Sequence, residues 1–179
     1  MVTSLAVTRT SFAPGGVHIA GAGALLLSAT LPLAAFALAN GLAQANGILP
    51  LYFAPSMPGW LGAALHIGSL PLLGVAHWMV GRQGVVGRSA AHWIVALIAG
   101  TIIFPFAVQA LDSLMLSVLA FALLVVGLGA IVRTAAVEPR AALLMAPGLA
   151  WMGFSAFVGL SFAAGWSPPF AVTNSQGGT

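Results

Sequence analysis

The stretch SLMLSVLAFALLVVGLGAIV, residues 113–132, decides the fold class. It holds no Lys, Arg, Asp, Glu or Pro, and Asp112 and Arg133 bracket it. A helix rising 1.5 Å per residue needs roughly 20 mostly apolar residues to cross a hydrocarbon core about 30 Å thick. The run is continuously apolar, without the period-two alternation of a membrane barrel strand. Lipid cannot satisfy a free amide or carbonyl, so a helix is the structure such a run can adopt there. Four further uncharged stretches read the same way: 17–39, 60–80, 90–110 and 141–165. The expected fold is an all-α integral membrane protein, a five-helix transmembrane bundle over 17–166. A segment 1–16 precedes it, a long 40–59 loop joins the first two helices, and a polar tail covers 167–179.

Composition closes off the other classes. Hydrophobic residues make up 60% of the 179 and charged residues 4%, against about 25% charged in a soluble domain. A soluble enzyme, a nucleic-acid module and a disordered tail are excluded. The net charge of +3 comes from five Arg and two acids, with no Lys, and does not indicate nucleic acid. There is no Cys, so thiolate chemistry and disulfides are ruled out. The first stretch, with Arg9 before it and Ala37-Leu38-Ala39 at its end, has some features of a signal peptide. Its apolar run of about 22 residues exceeds the 7–15 of a signal core, so a retained helix is expected.

Five spans make the connecting segments alternate sides. Arg9, the pair Arg82 and Arg88, and the pair Arg133 and Arg140 then share one side. The positive-inside rule places that side, and the N-terminus, in the cytoplasm and the C-terminus outside. The 40–59 loop carries Gly41, Gly47, Pro50, Pro55 and Pro58 around an apolar centre, Ile48 to Phe53, which is expected to lie on the bundle or in the interface. Pro32, Pro71, Pro105 and Pro147 fall inside four of the expected helices, and each removes a backbone donor. The dense glycines read as close-approach points between helices.

Intramembrane ionisable groups are costly and point to function. His66 is the deepest of four histidines, about 9 Å into its helix from Trp60. It reads as hydrogen-bonded to a neighbouring helix, as an axial ligand to the metal of a tetrapyrrole, or as a polar contact to a ligand. His77 and His92, each followed by a Trp (Trp78, Trp93), read as interfacial anchors near Arg82 and Arg88, and His18 lies at the start of the first helix. Met145, Met152 and Met57 read as packing. The two carboxylates, Asp112 and Glu138, fall on opposite sides and cannot form an acid–base pair. No nucleophile elbow, phosphate loop or metal cluster is present, and no enzymatic activity is expected.

Three stretches resemble the TspO/MBR family, the tryptophan-rich sensory proteins related to the mitochondrial translocator protein. Pro55-Ser56-Met57-Pro58-Gly59-Trp60 resembles that family's entry to helix two, and Leu73-Gly74-Val75-Ala76-His77-Trp78 its late stretch. Residues 141–154, AALLMAPGLAWMGF, resemble its apolar-Pro-Tyr-x-x-Trp-x-x-Phe helix five. The similarity covers about residues 20–166. It implies a TspO/MBR-like bundle with helices two and five adjacent and a pocket for a hydrophobic planar ligand: a porphyrin, haem or related tetrapyrrole, or a lipid or sterol. The implied role is sensory or regulatory. By the same resemblance Trp60 and Trp151, with Tyr52, Phe154 and Pro147, belong to the ligand pocket, beside His66. The chain departs from the family where Gly148 replaces the helix-five Tyr, Gly159 its later Asn, Gly100 and Ile103 the helix-three Asn and Trp, and His66 a helix-two Trp. No cofactor is obligatory; porphyrin, haem or a chlorophyll-type pigment are the candidates. Expected partners are membrane lipids, the hydrophobic ligand, and a second copy in a homodimer. The alternative is an accessory subunit of a larger membrane complex, such as a pigment-binding photosynthetic one. Transport of a small solute is the weakest of the readings.

Reporter fusions after Val85 and after Gln176 are expected to report opposite sides, cytoplasmic and external respectively. A cytoplasmic tail would overturn the five-span topology.

Overall fold

The computed structural model describes residues 19–50, 58–108, 111 and 113–166. Five helices account for nearly all of them: α1 (Ile19–Ala45), α2 (Gly59–Gly81), α3 (Arg88–Ala107), α4 (Ser113–Val137) and α5 (Pro139–Trp166). All five are long and apolar enough to cross a membrane, and the described residues include no strand. The chain is a multi-pass membrane protein.

Several helix boundaries differ from those expected of the apolar stretches, α3 for one running Arg88–Ala107 rather than 90–110. The first helix runs past Ala39 to Ala45, because Leu, Ala and Gln are good helix formers and nothing there breaks the backbone ladder. It stops at Gly47, whose φ of 73° is the left-handed turn glycine takes at a helix end. The Ile48 amide donates to the Ala43 carbonyl at 2.9 Å and the Gly47 amide to that of Gln44 at 3.0 Å, closing a Schellman cap. The 40–59 loop is correspondingly shorter. Ile48 and Leu49 in it are exposed on this chain rather than covered by the bundle; residues 51–57 lie outside the described residues. The fourth helix continues through Arg133 to Val137, since a guanidinium on a long stem reaches the interface without ending a helix. The fifth starts at Pro139, whose fixed φ and missing amide suit a first helical position.

Helices α2, α5, α4 and α3 contact one another in that cyclic order, and α1 packs against α2 and α3. Helices two and five are thus neighbours. Lipid offers no hydrophobic drive to push helices together, so close approach must come from small side chains. A Cβ on Gly74 of α2 would collide with the Ser28 carbonyl of α1, and one on Gly148 of α5 would stand 3.0 Å from the Ser69 Cβ of α2. On α4, Gly129 admits the Trp93 ring of α3, and Gly127 admits Leu149 and Leu97. The packed core gathers at one end of the ring: Leu73, Val80, Ile94, Leu97 and Met145 are almost fully enclosed. Met145 and Met152 are buried there as packing. The described arginines, Arg82, Arg88, Arg133 and Arg140, belong to this same end.

Gly74→Ala is expected to destabilise the bundle by about 1–3 kcal/mol, because the obstacle is backbone that only a shift of α1 can clear. Gly68→Ala, with nothing within 4 Å of the added carbon, should be neutral or stabilising by up to about 1 kcal/mol. Denaturation midpoints in one detergent compare the pair directly; equal effects would remove the close α1–α2 contact from the account.

Candidate functional site

Pro105 sits in the last turns of α3 and is buried. It has no amide, so the carbonyl four residues earlier, that of Thr101, loses its partner within the helix. In hydrocarbon no water replaces it. His66 of α2 does: its Nε2 lies 2.8 Å from the Thr101 oxygen. A carbonyl only accepts, so Nε2 carries the proton and donates. The Thr101 hydroxyl turns back to the Leu97 carbonyl at 2.8 Å, and Ser69 Oγ donates to the carbonyl of His66 itself at 2.7 Å. On the α1 side, the buried Phe36 ring stands 6.4 Å from the imidazole and 5.8 Å from Phe106. Both bonds on His66 are therefore shielded from water, where hydrogen bonds are strongest.

On its other side His66 faces a cleft. The cleft lies inside the α2–α3–α4–α5 ring, in the half away from the arginines. Its floor is His66, Leu123 and Met152; its walls rise past Trp151, Ser117 and Ser155 toward Val108, Leu116 and Gly159. From Leu123 back to Leu116 is seven helical residues, so the depth is roughly 10 Å. Its volume is about 50 Å³. That is space for a few water-sized groups, far below the ~300 Å³ at which drug-sized pockets begin. The lining is apolar apart from the imidazole and the two serines.

The structure brings two of the sequence-named residues, His66 and Trp151, to this cleft. Phe154 stacks on Trp151 at 5.6 Å and 28°, half-buried, and backs the indole. Trp60 is 71% exposed and turned away. Six residues on an α-helix is a rotation that leaves it roughly 120° around the axis from His66, too far to share one narrow wall. Pro147 is exposed, one turn nearer the arginine end than Trp151. Tyr52 lies outside the described residues, as do His18, Met57 and Asp112. Of the positions that depart from the TspO/MBR pattern, Gly148 is a helix-crossing point with no room for an aromatic ring, while Gly159 does line the cleft. Sequence reasoning missed Ser117, Ser155 and the Phe104–Val108 wall. Hydroxyls recurring in otherwise apolar helices were the available signal.

The geometry bears on a tetrapyrrole in one way: ligation of its metal through Nε2 of His66 is incompatible with the bond to Thr101. Among the described residues no group of three or more His, Cys, Asp or Glu could hold a metal ion. His77 is half-buried and His92 exposed near the arginine end. Trp78 lies beneath Arg82, 4.8 Å from guanidinium carbon to ring centroid, and Trp93 beneath Arg133 at 5.4 Å. No protein-family model, curated protein or solved structure matches the chain.

His66→Ala is expected to cost about 1–3 kcal/mol, the penalty of a buried carbonyl left without a donor. In a Pro105→Ala background the loss should shrink, because residue 105 then offers its own amide to Thr101. A double-mutant cycle from denaturation in detergent reads this coupling; strictly additive losses would dissociate His66 from the proline.

Proposed function

We propose that this chain is a non-enzymatic membrane protein that takes the end of a slender apolar ligand, such as the terminal few carbons of a lipid acyl chain, into the four-helix cleft. The observation that carries the reading is the contrast between the two halves of one ring. The arginine half is filled to the point that Gly127 and Gly129 are needed to admit neighbouring side chains. The other half keeps an apolar hollow where Ala120 and Gly159 stand on the wall. Leucine at those places would fill it, as leucine fills the rest of the bundle. The small volume favours the end of a chain over a plate, so an acyl chain takes precedence over porphyrin, haem, chlorophyll-type pigment or sterol. His66, Ser117 and Ser155 supply what polarity the ligand meets. The resemblance to TspO/MBR supports a sensory or regulatory role, and the adjacency of α2 and α5 is the arrangement it implies. With the arginine end cytoplasmic, the cleft opens toward the external side. A homodimer in the membrane is the assembly that the same resemblance suggests.

Protein purified in mild detergent, challenged with palmitate or with protoporphyrin IX and analysed by native mass spectrometry and visible absorption, tests the reading. The parent should retain palmitate, and Ala120→Leu should bind it about tenfold more weakly, a change of about 1.4 kcal/mol. Gly68→Ala should match the parent. Porphyrin retained in preference to palmitate, and lost in Ala120→Leu, would replace the chain by a macrocycle. Identical behaviour of parent and Ala120→Leu toward both would empty the cleft of function and favour the accessory-subunit reading.

A further inference from the structure

At the opposite end of the bundle from the cleft, Arg133 is built into the groove between α3 and α4. It lies one turn inside the end of α4, four residues or about 6 Å from Val137, so its charge starts below the level of the helix ends. Two contacts hold it. Its guanidinium carbon sits 5.4 Å from the Trp93 ring centroid, and Nη1 donates to Ser89 Oγ at 3.0 Å. Neither partner is an anion. The carboxylate nearest in sequence, Glu138, accepts from Gln83 Nε2 at 3.1 Å. Arg88, exposed and next to Ser89 in the chain, adds a second positive charge to the same end of α3. A guanidinium has five N–H donors in a planar fork that matches phosphate, and among the described residues one is used. The contacts with Trp93 and Ser89 restrain the guanidinium, which reduces the side-chain freedom that binding would cost.

A cation at the membrane boundary that meets no anion among the described residues, and uses one of its donors on them, calls for an anionic oxygen group at headgroup depth. We propose that the α3–α4 groove is a binding site for the phosphate of an anionic phospholipid, with Arg133 as the primary contact, Ser89 and Trp93 as its positioning residues and Arg88 as a supporting charge. The acyl chains of that lipid run along the exposed side chains of α4 below Arg133, where Val132, Leu128 and Val125 face outward. The site is separate from the cleft and stands whether or not the cleft is occupied.

The test counts lipids retained by the full chain in native mass spectra after incubation with phosphatidylglycerol or phosphatidylcholine. The parent should retain phosphatidylglycerol selectively, with Arg133→Gln lowering retention about fivefold or more. Arg140→Gln removes the same charge from α5, where the arginine is likewise exposed but lies outside the α3–α4 groove, and should change little. Ser89→Ala, which leaves every charge in place, should give an intermediate loss and guards against a folding defect in Arg133→Gln. Equal losses in Arg133→Gln and Arg140→Gln would reduce the effect to diffuse attraction and overturn the site. Excess inorganic phosphate should not displace the lipid; if it does, the groove takes free phosphate and the lipid assignment fails.

Discussion

The carbonyl of Thr101 is the group around which the bundle is arranged. Pro105 takes away its amide in a medium that offers no water in exchange, and α2 must stand close enough for His66 to supply a donor. The same event occurs on the other flank. Pro32 strips the Ser28 carbonyl of its amide, and Gly74 of α2 lies directly against that oxygen, close enough for a Cα–H contact. Helix α2 thus answers the proline defects of both α1 and α3. Its side chains at these two places are therefore dictated: a long polar donor at 66, no side chain at all at 74. With α2 fixed between α1 and α3, Ser69 meets Gly148, and α5 docks on the remaining face.

How far this could be read beforehand follows from which forces leave a mark on composition. Crossing a membrane excludes charge over some twenty residues, so the number of helices and the grouping of Arg82, Arg88, Arg133 and Arg140 at one end were legible. Helix ends were less so. A window defined by charge stops at Arg133, yet the backbone ladder continues to Val137, because an arginine that can lie over Trp93 has no reason to end a helix. His66 was legible as a deep polar group, with a neighbouring helix as one of its expected partners, but Thr101 could not be named without knowing that Pro105 faces α2. The resemblance that grouped Trp60 with His66 carried no information on rotation about the helix axis, and rotation puts them on different faces. Gly148 shows the same gap: an absent side chain marks a crossing or a hollow, and only the neighbour, Ser69, says which.

The two ends of the molecule have opposite characters. One carries all the described arginines, two of them over tryptophan rings, and the densest packing. The other carries the hollow. Each feature suits its place: cations are tolerated where headgroups begin, and a cavity is tolerated where the packing beneath it already holds the helices together. A void in the arginine half would sit among Leu73, Ile94, Leu97 and Met145 and remove contacts that every helix of the ring shares. In the other half, Phe154 stacks on Trp151 and backs one wall of the hollow.

The contact between Ser69 and Gly148 joins residues far apart in the chain, and it has a bearing on biogenesis. Helices α1 to α4 can meet their sequence neighbours as they emerge, and α4 and α5 are separated by Glu138 alone, so that pair enters lipid as a hairpin. The α2–α5 seam has to wait for the C-terminal helix of the five. Until it forms, the ring is a horseshoe and His66 looks into open lipid. The hollow is therefore a property of the finished assembly only, and anything that occupies it acts as a clasp on the last step of folding, stabilising the closed ring by mass action.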